Sequence, residues 1–240
     1  MMYLIAELCG QHSGSLRRLE QMALQAKAAG ADAVKVQLYD THRMPGDYRE
    51  KWAYLDISFD ELKRFKVYCD MLRIDLFASF FDEERLGWCL ELNFPILKIA
   101  SYVLQQWPNL AEKSVATGRR TLVSLGMYNW QKKGAPFTAP NVEYLYTVPK
   151  YPGTIEGLAM PDFSTHPFFC GYSDHTPGTT AVSYALLRVA RVIEKHFTVS
   201  KALRRETEKG HFCAMTWNEL AQIRNFADEL ALLKKGETVP

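Results

Sequence analysis

The segment AAGADAVKVQ, Ala28 to Gln37, decides the fold. Its alanines end a helix, Gly30 supplies the left-handed stop, and Ala33–Gln37 alternates small or branched apolar residues with Lys35 and Gln37. A helix that stops on glycine and passes directly into a short strand is the joint of a repeating β/α unit. The same cadence recurs in both directions along the chain. Strands are predicted at Tyr3–Glu7, Ala33–Gln37, Asp75–Ala78, Ile96–Ile99, Thr121–Ser124, Glu143–Thr147, Phe169–Ser173 and Val192–His196. Helical patterning covers Ser15–Ala29, Phe59–Leu72, Asp82–Leu92, Asn109–Thr117, Thr179–Val189 and Trp217–Lys234, and SFDEL (from Ser58) and MTWNEL (from Met215) read as helix starts. Strands alternating with helices pair in parallel through right-handed crossovers, and eight of them predict an α/β protein closed into a (β/α)8 TIM barrel. Two connections break the pattern. Met127–Asn141 has two prolines, a glycine and no helical period, so the fifth helix is expected to be missing or replaced by a loop. Ile155–Phe168, interrupted by Pro161 and Pro167, has room only for a short helix.

The 240 residues suit one barrel, so residues 1–240 are read as a single domain, and 48% hydrophobic residues supply its core. A formal charge of +2, with both signs interspersed, gives no reason to expect nucleic acid or a membrane surface as partner. The five cysteines are scattered without a CxxC pair, which argues for reduced thiols and a cytoplasmic protein. The opening MMYLIAELCGQH lacks a basic lead-in and is broken by Glu7, so it reads as a strand and not a signal peptide. No apolar run approaches the ~18 residues that span a bilayer.

Alternate residues of a barrel strand point inward, and those at the C-terminal ends face the mouth where such barrels carry their sites. That parity points Tyr3, Ile5 and Glu7 inward, then Ala33, Lys35 and Gln37, then Gly171, Ser173 and His175, then Val192, Glu194 and His196, with Lys98 inward on the fourth strand. Asp174 falls on the outward parity and is read as a brace for its loop. Any one of these charges suits a structural ion pair, and either histidine alone suits a hydrogen-bonded core position. Charges in a barrel lumen are costly unless paired or met by a ligand, so their convergence on one mouth marks a functional site. Lys35 and Lys98, with Ser79, Ser101, Ser124 and Ser173, are suited to a phosphate and a carboxylate. His175 and His196, on adjacent strands, are suited to a divalent cation in an open coordination sphere.

The motifs IAELCGQHSGS (Ile5–Ser15), AAGADAVKVQ, LKIAS (Leu97–Ser101), SLGM (Ser124–Met127), KYP (Lys150–Pro152), GYSDHT (Gly171–Thr176) and IEKHFT (Ile193–Thr198), in that order, resemble the sialic acid synthase (N-acetylneuraminate synthase) family from Ile5 to about Leu220. The resemblance implies a transferase of carbohydrate biosynthesis that condenses phosphoenolpyruvate with an aldose or other aldehyde. The products are a 3-deoxy-2-keto, sialic-acid-like sugar acid and phosphate, and a divalent cation, Mn2+ or Mg2+, assists. Carried over by motif, His175 and His196 would hold the metal. Lys35, Ser79, Lys98, Ser101, Ser124 and Ser173 would hold phosphoenolpyruvate, Tyr151 would line the site, and Glu7 and Glu194 would be the acid/base or water-positioning groups.

The departures from the family pattern are concentrated. Tyr102-Val103 stands where the family carries an acidic residue that touches the sugar, Pro149 where it carries asparagine, and Gly210-His211 where it carries an Asp-His pair. SLGM replaces STGM. The chain also ends before the antifreeze-like domain that in the family supplies a sugar-binding arginine to the partner subunit, which leaves a homo-oligomer or a partner subunit as an expectation. The phosphoenolpyruvate half of the pattern is kept and the sugar half is altered. This favours a changed acceptor, the alternative being a non-catalytic barrel that acts as a binding or assembly subunit. The wall bared by a missing fifth helix is a candidate subunit contact, unless Tyr128, Trp130 and Phe137 cover it from within.

Overall fold

A computed structural model describes residues 2–43, 48–205 and 207–236. Strands β1 (Tyr3–Glu7), β2 (Ala33–Leu38), β3 (Asp75–Phe80), β4 (Leu97–Ile99), β5 (Thr121–Ser124), β6 (Val142–Thr147), β7 (Phe169–Asp174) and β8 (Val192–His196) pair in parallel and in chain order, and β8 returns to β1 to close the barrel. Helices α1 (Leu16–Ala28), α2 (Tyr48–Trp52), α3 (Phe59–Leu72), α4 (Glu83–Glu91), α5 (Ser101–Gln106), α6 (Pro108–Ala116), α7 (Trp130–Lys133), α8 (Thr180–Leu187) and α9 (Trp217–Gly236) fill the connections. The strands are buried on both faces, which is why they read as nearly continuous apolar runs punctuated by single charges.

The local signals act as their chemistry requires. Gly30 takes φ +94°, and a side chain there would run into Arg224 of α9. Arg224 donates from Nε to the Gly30 carbonyl (2.8 Å) and pairs with Asp32, whose carboxylate accepts the Leu4 amide (2.8 Å), so the last helix is fastened to the first two strands. Ser58 and Glu61 form a reciprocal capping box at α3, and Glu219 accepts the Thr216 amide (2.8 Å) at the start of α9.

The two weak connections resolve differently. After β5 there is only the single turn α7, as a loop replacing the fifth helix requires. Trp130 stacks edge-on against Phe169 (5.0 Å) and His166 (5.7 Å), and the Tyr144 hydroxyl bonds both the amide (2.9 Å) and the carbonyl (2.7 Å) of Phe137. The aromatic residues thus cover the wall from within. Ile155–Phe168, with room only for a short helix, forms none: Asp162 accepts the Ser164 amide (2.9 Å) in a side-chain-closed turn between Pro161 and Pro167. Helix α5 was not expected. Its six residues are too few to show a period, yet Val103 and Leu104 give it a buried face.

At Gly171, where β7 meets β8, a Cβ would lie 2.0 Å from the Val192 carbonyl oxygen. Gly171→Ala is therefore expected to lower the unfolding free energy by about 1–3 kcal/mol through overpacking, read from denaturant melts, while Gly87→Ala, in open space and without a positive φ, escapes that penalty.

Candidate functional site

Register decides which side chains meet. Glu7 is level with Lys35 on β2 and with His196 on β8, Lys98 is level with Ser79, and Thr147 is level with Ser173, which in turn is level with Glu194. Parallel partners point to the same face. One ring of polar side chains therefore forms at the C-terminal ends, inside the barrel and almost wholly buried.

At its centre the Lys35 ammonium lies 2.6 Å from Glu7 Oε2 and 3.0 Å from Glu194 Oε2. The other oxygen of Glu7 accepts the Cys9 amide (2.8 Å), and the other oxygen of Glu194 accepts the Ser173 hydroxyl (2.9 Å). Lys98 donates to Ser124 Oγ (2.7 Å) and stands 3.9 Å from Glu194 Oε1. Ser101 lies farther out, its Oγ accepting the Gly126 amide (3.1 Å). Among the described residues, the hydroxyls of Ser79 and Thr147 and the Nε2 of Gln11 are buried with no partner. Unpartnered buried donors of this kind are costly, and they suit a polar ligand.

Burial raises both carboxyl pKa values. For Glu194 it is outweighed by Lys35 and Lys98, which hold it below the ordinary carboxylate range. For Glu7 burial prevails, reinforced by the charge of Glu194, and the pKa is pushed up although Lys35 opposes it. Burial works against the Lys35 charge as well, but its two carboxylates keep it firmly protonated. Burial outweighs the pull of Glu194 and of the farther Glu7 on Lys98, with Lys35 adding repulsion, and its pKa falls to about 8.

Above the ring stand the two histidines, ring centroids 5.7 Å apart. His175 Nδ1 must donate to the Val148 carbonyl (2.8 Å), leaving Nε2 with an unshared pair that accepts the Tyr151 hydroxyl (2.8 Å). His196 Nδ1 faces Gln11 Oε1 (3.2 Å), which fixes the same tautomer. Desolvation lowers His175 to about 4 and His196 well below its ordinary value, so both rings are neutral near pH 7. Two neutral imidazoles with fixed Nδ1 partners suit a divalent cation, and on His175 the Tyr151 hydroxyl takes up the Nε2 lone pair that a cation would need, so Tyr151 would have to give way to it. Among the described residues, no group of three or more His, Cys, Asp or Glu is arranged to hold a metal. Any such ion would therefore draw its remaining ligands from substrate and water.

The altered positions have structural counterparts. Val103 is wholly buried within the apolar core. Gly210 lies against His196: a Cβ there would sit 2.6 Å from its Cε1, so an aspartate has no room while the ring stands as it does. The loop carrying Gly210 is pinned by Glu208, which accepts the Tyr54 hydroxyl (2.8 Å) and faces His211 Nδ1 (3.3 Å), while His211 Nε2 meets Thr198 Oγ1 (2.7 Å). Sequence reasoning overlooked Gln11, although it lies within the first motif, and Thr147, whose only signal was its position as the last residue of a strand.

Comparison with known proteins is consistent with this architecture. Residues 22–237 match the NeuB family. The N-acetylneuraminate-9-phosphate synthase of Drosophila melanogaster is 27% identical over 92% of this chain and 66% of its own length. The N,N'-diacetyllegionaminic acid synthase of Legionella pneumophila is 25% identical over 99% of this chain and 75% of its own. The chain thus spans about two thirds to three quarters of these curated relatives. Among solved structures, the N-acetylneuraminic acid synthetase of Leptospira borgpetersenii superposes with a TM-score of 0.86 at 26% identity, covering 100% of this chain and 87% of that one.

The two histidines have a thermodynamic consequence. Their folded pKa values lie below the ordinary 6.5, so their contribution to stability is complete above about 6.5 and is lost as the pH falls toward about 4. The unfolding free energy without added metal is expected to drop across that window. His175→Gln/His196→Gln should show a shallower drop, as measured by urea melts at stepped pH.

Proposed function

The chain belongs to the NeuB family, and from that premise we propose that its barrel mouth condenses phosphoenolpyruvate with an aldehyde or aldose to a 3-deoxy-2-keto sugar acid, releasing phosphate. The observation that carries this reading is the convergence of two buried ammonium groups and the unpartnered Ser79 hydroxyl beneath two neutral imidazoles at one mouth. Its components suit the two anionic groups of phosphoenolpyruvate and a polarised carbonyl oxygen. The synthase names of the relatives lend the same support.

Lys35 and Lys98, with Ser79, Ser101, Ser124 and Ser173, bind the phosphate and carboxylate and hold the enol carbon toward the histidines. His175 and His196 hold a divalent cation, manganese or magnesium, whose chemistry when bound is to polarise the aldehyde oxygen. The enol carbon bonds to the aldehyde carbon, water adds at carbon 2, and cleavage of the carbon–oxygen bond of the resulting tetrahedral centre releases phosphate. Glu194, held ionised, compensates positive charge developing at carbon 2. Glu7, with its raised pKa, is the group poised to move the water proton. Tyr151, hydrogen-bonded to His175, lines the acceptor side.

The acceptor differs from N-acetylmannosamine, being smaller or less polar at its far end. An acidic contact of the family has become Val103, and the space for another is filled by Gly210 against His196. Each lost polar contact costs roughly 1–3 kcal/mol in a site built around it.

Phosphate release from phosphoenolpyruvate with manganese, across short aldehydes, pentoses, hexoses and N-acylated hexosamines, tests the reading. We expect turnover, with kcat/KM for a short or unacylated acceptor exceeding that for N-acetylmannosamine. Efficient use of N-acetylmannosamine would overturn the acceptor assignment, and no turnover together with no phosphoenolpyruvate binding would overturn the reaction. Calorimetry adds a second check. Lys98→Ala should weaken phosphoenolpyruvate binding by about 1.5–3 kcal/mol. In the parent, affinity should decline as the pH rises past about 8, where Lys98 loses its proton, and this decline should be absent from the variant.

A further inference from the structure

Three successive cross-strand rungs join β7 and β8 at the mouth. Ser173 and Glu194 are level and hydrogen-bonded inside the barrel, and Asp174 and Lys195 are level one residue on. His175 and His196 follow, on the inner face again. The middle rung faces outward, as strand alternation requires, yet it is an ion pair with both side chains completely buried and a separation of 2.5 Å. No step of the proposed reaction uses it.

Its geometry is specific. The Lys195 ammonium donates to Asp174 Oδ2 (2.5 Å) and also to the Thr176 backbone carbonyl (2.5 Å). Asp174 Oδ1 accepts the Tyr172 hydroxyl, the Thr176 amide and the Thr176 hydroxyl, each at 2.8 Å. One buried ammonium therefore grips the residues on either side of His175 and directly precedes His196 in the chain. With 174 and 176 both drawn to the back of the wall, the side chain between them is forced to the front.

We propose that Lys195 and Asp174 are positioning residues that set where the two imidazoles stand, and so keep His175 Nδ1 on the Val148 carbonyl and His196 Nδ1 on Gln11, from behind the barrel wall. This rests on the reading of His175 and His196 as the cation-holding pair. A fully buried ion pair is poorly justified by stability alone, since apolar or neutral replacements of similar shape are often tolerated as well. Only the charged pair, through its second donation to Thr176, also fixes the turn that carries His175. Metal-binding histidines depend on such outer partners for orientation, and loss of one commonly weakens metal affinity about 10–100-fold.

The test is Asp174→Asn/Lys195→Met in the full chain, which leaves no uncompensated charge and keeps an acceptor for Tyr172 and Thr176. Three readouts are needed: thermal unfolding without metal, Mn2+ affinity by calorimetry, and the imidazole nitrogen resonances of His175 and His196 by NMR. We expect unfolding close to the parent's, Mn2+ affinity reduced by about 10–100-fold, and loss of the single-tautomer signature at His175. A folded variant with parent-like Mn2+ affinity and imidazole resonances would overturn the proposal. If the parent itself takes up no Mn2+, the two-histidine reading fails, and unchanged imidazole resonances in the variant still overturn the clamp. Should the double variant not fold, Thr176→Val removes one contact to Asp174 and spares the ion pair. A several-fold loss of Mn2+ affinity without a shift in unfolding then supports the clamp, and unchanged affinity and resonances overturn it.

Discussion

A lysine ammonium held inside a barrel lumen is the constraint on which the rest of the mouth depends. Lys35 sits on β2, and its partners Glu7 and Glu194 lie on β1 and β8, so one buried charge ties together the first strand, the last strand and the seam where the barrel closes. Removing either carboxylate would leave a buried charge under-compensated, at a cost far above that of a surface pair. The arrangement also divides the labour. Glu194 is shared by two ammonium groups and stays ionised, whereas Glu7 shares only Lys35 and is driven toward protonation. Two chemically identical carboxyls thus acquire different proton affinities from their position alone.

The wall between β7 and β8 repeats this logic in section. Inner and outer rungs alternate: a serine is bonded to a glutamate inside and a lysine to an aspartate outside, and two imidazoles stand next inside, 5.7 Å apart. Strand periodicity places the serine, the glutamate and the two imidazoles at the front and the lysine–aspartate pair at the back. Because packed interiors do not deform continuously, fixing the outer rung limits where the inner ones can go.

The barrel was legible because the strands are short and largely apolar, and because a helix stop with a mechanism leads directly into one, as at Gly30 between α1 and β2. The inward site residues were legible for the same reason, since a period of two assigns them without knowledge of their partners. What escaped depends on contacts that no local pattern encodes. Asp174 could be read as a loop brace, but Lys195 as its partner requires the β7–β8 register. Gln11 reaches His196 from the far end of the chain, and Tyr54 meets Glu208 across loops of unrelated sequence. Helix α5 is shorter than two turns, below the length at which a helical period declares itself.

The ring contains two carboxylates and two ammonium groups and is close to neutral before any ligand arrives. On the proposed reading, phosphoenolpyruvate brings a carboxylate and a phosphate into that neutral ring, and the added charge cannot be met by Lys35 and Lys98 unless the carboxylates yield their share of them. Glu194 is the poorer candidate to yield, being flanked by both ammonium groups and bonded to Ser173. Glu7 is the better one, because burial already favours its protonated form. Entry of a polyanion therefore raises the proton affinity of Glu7 further, which would strengthen it as the acceptor of the water proton.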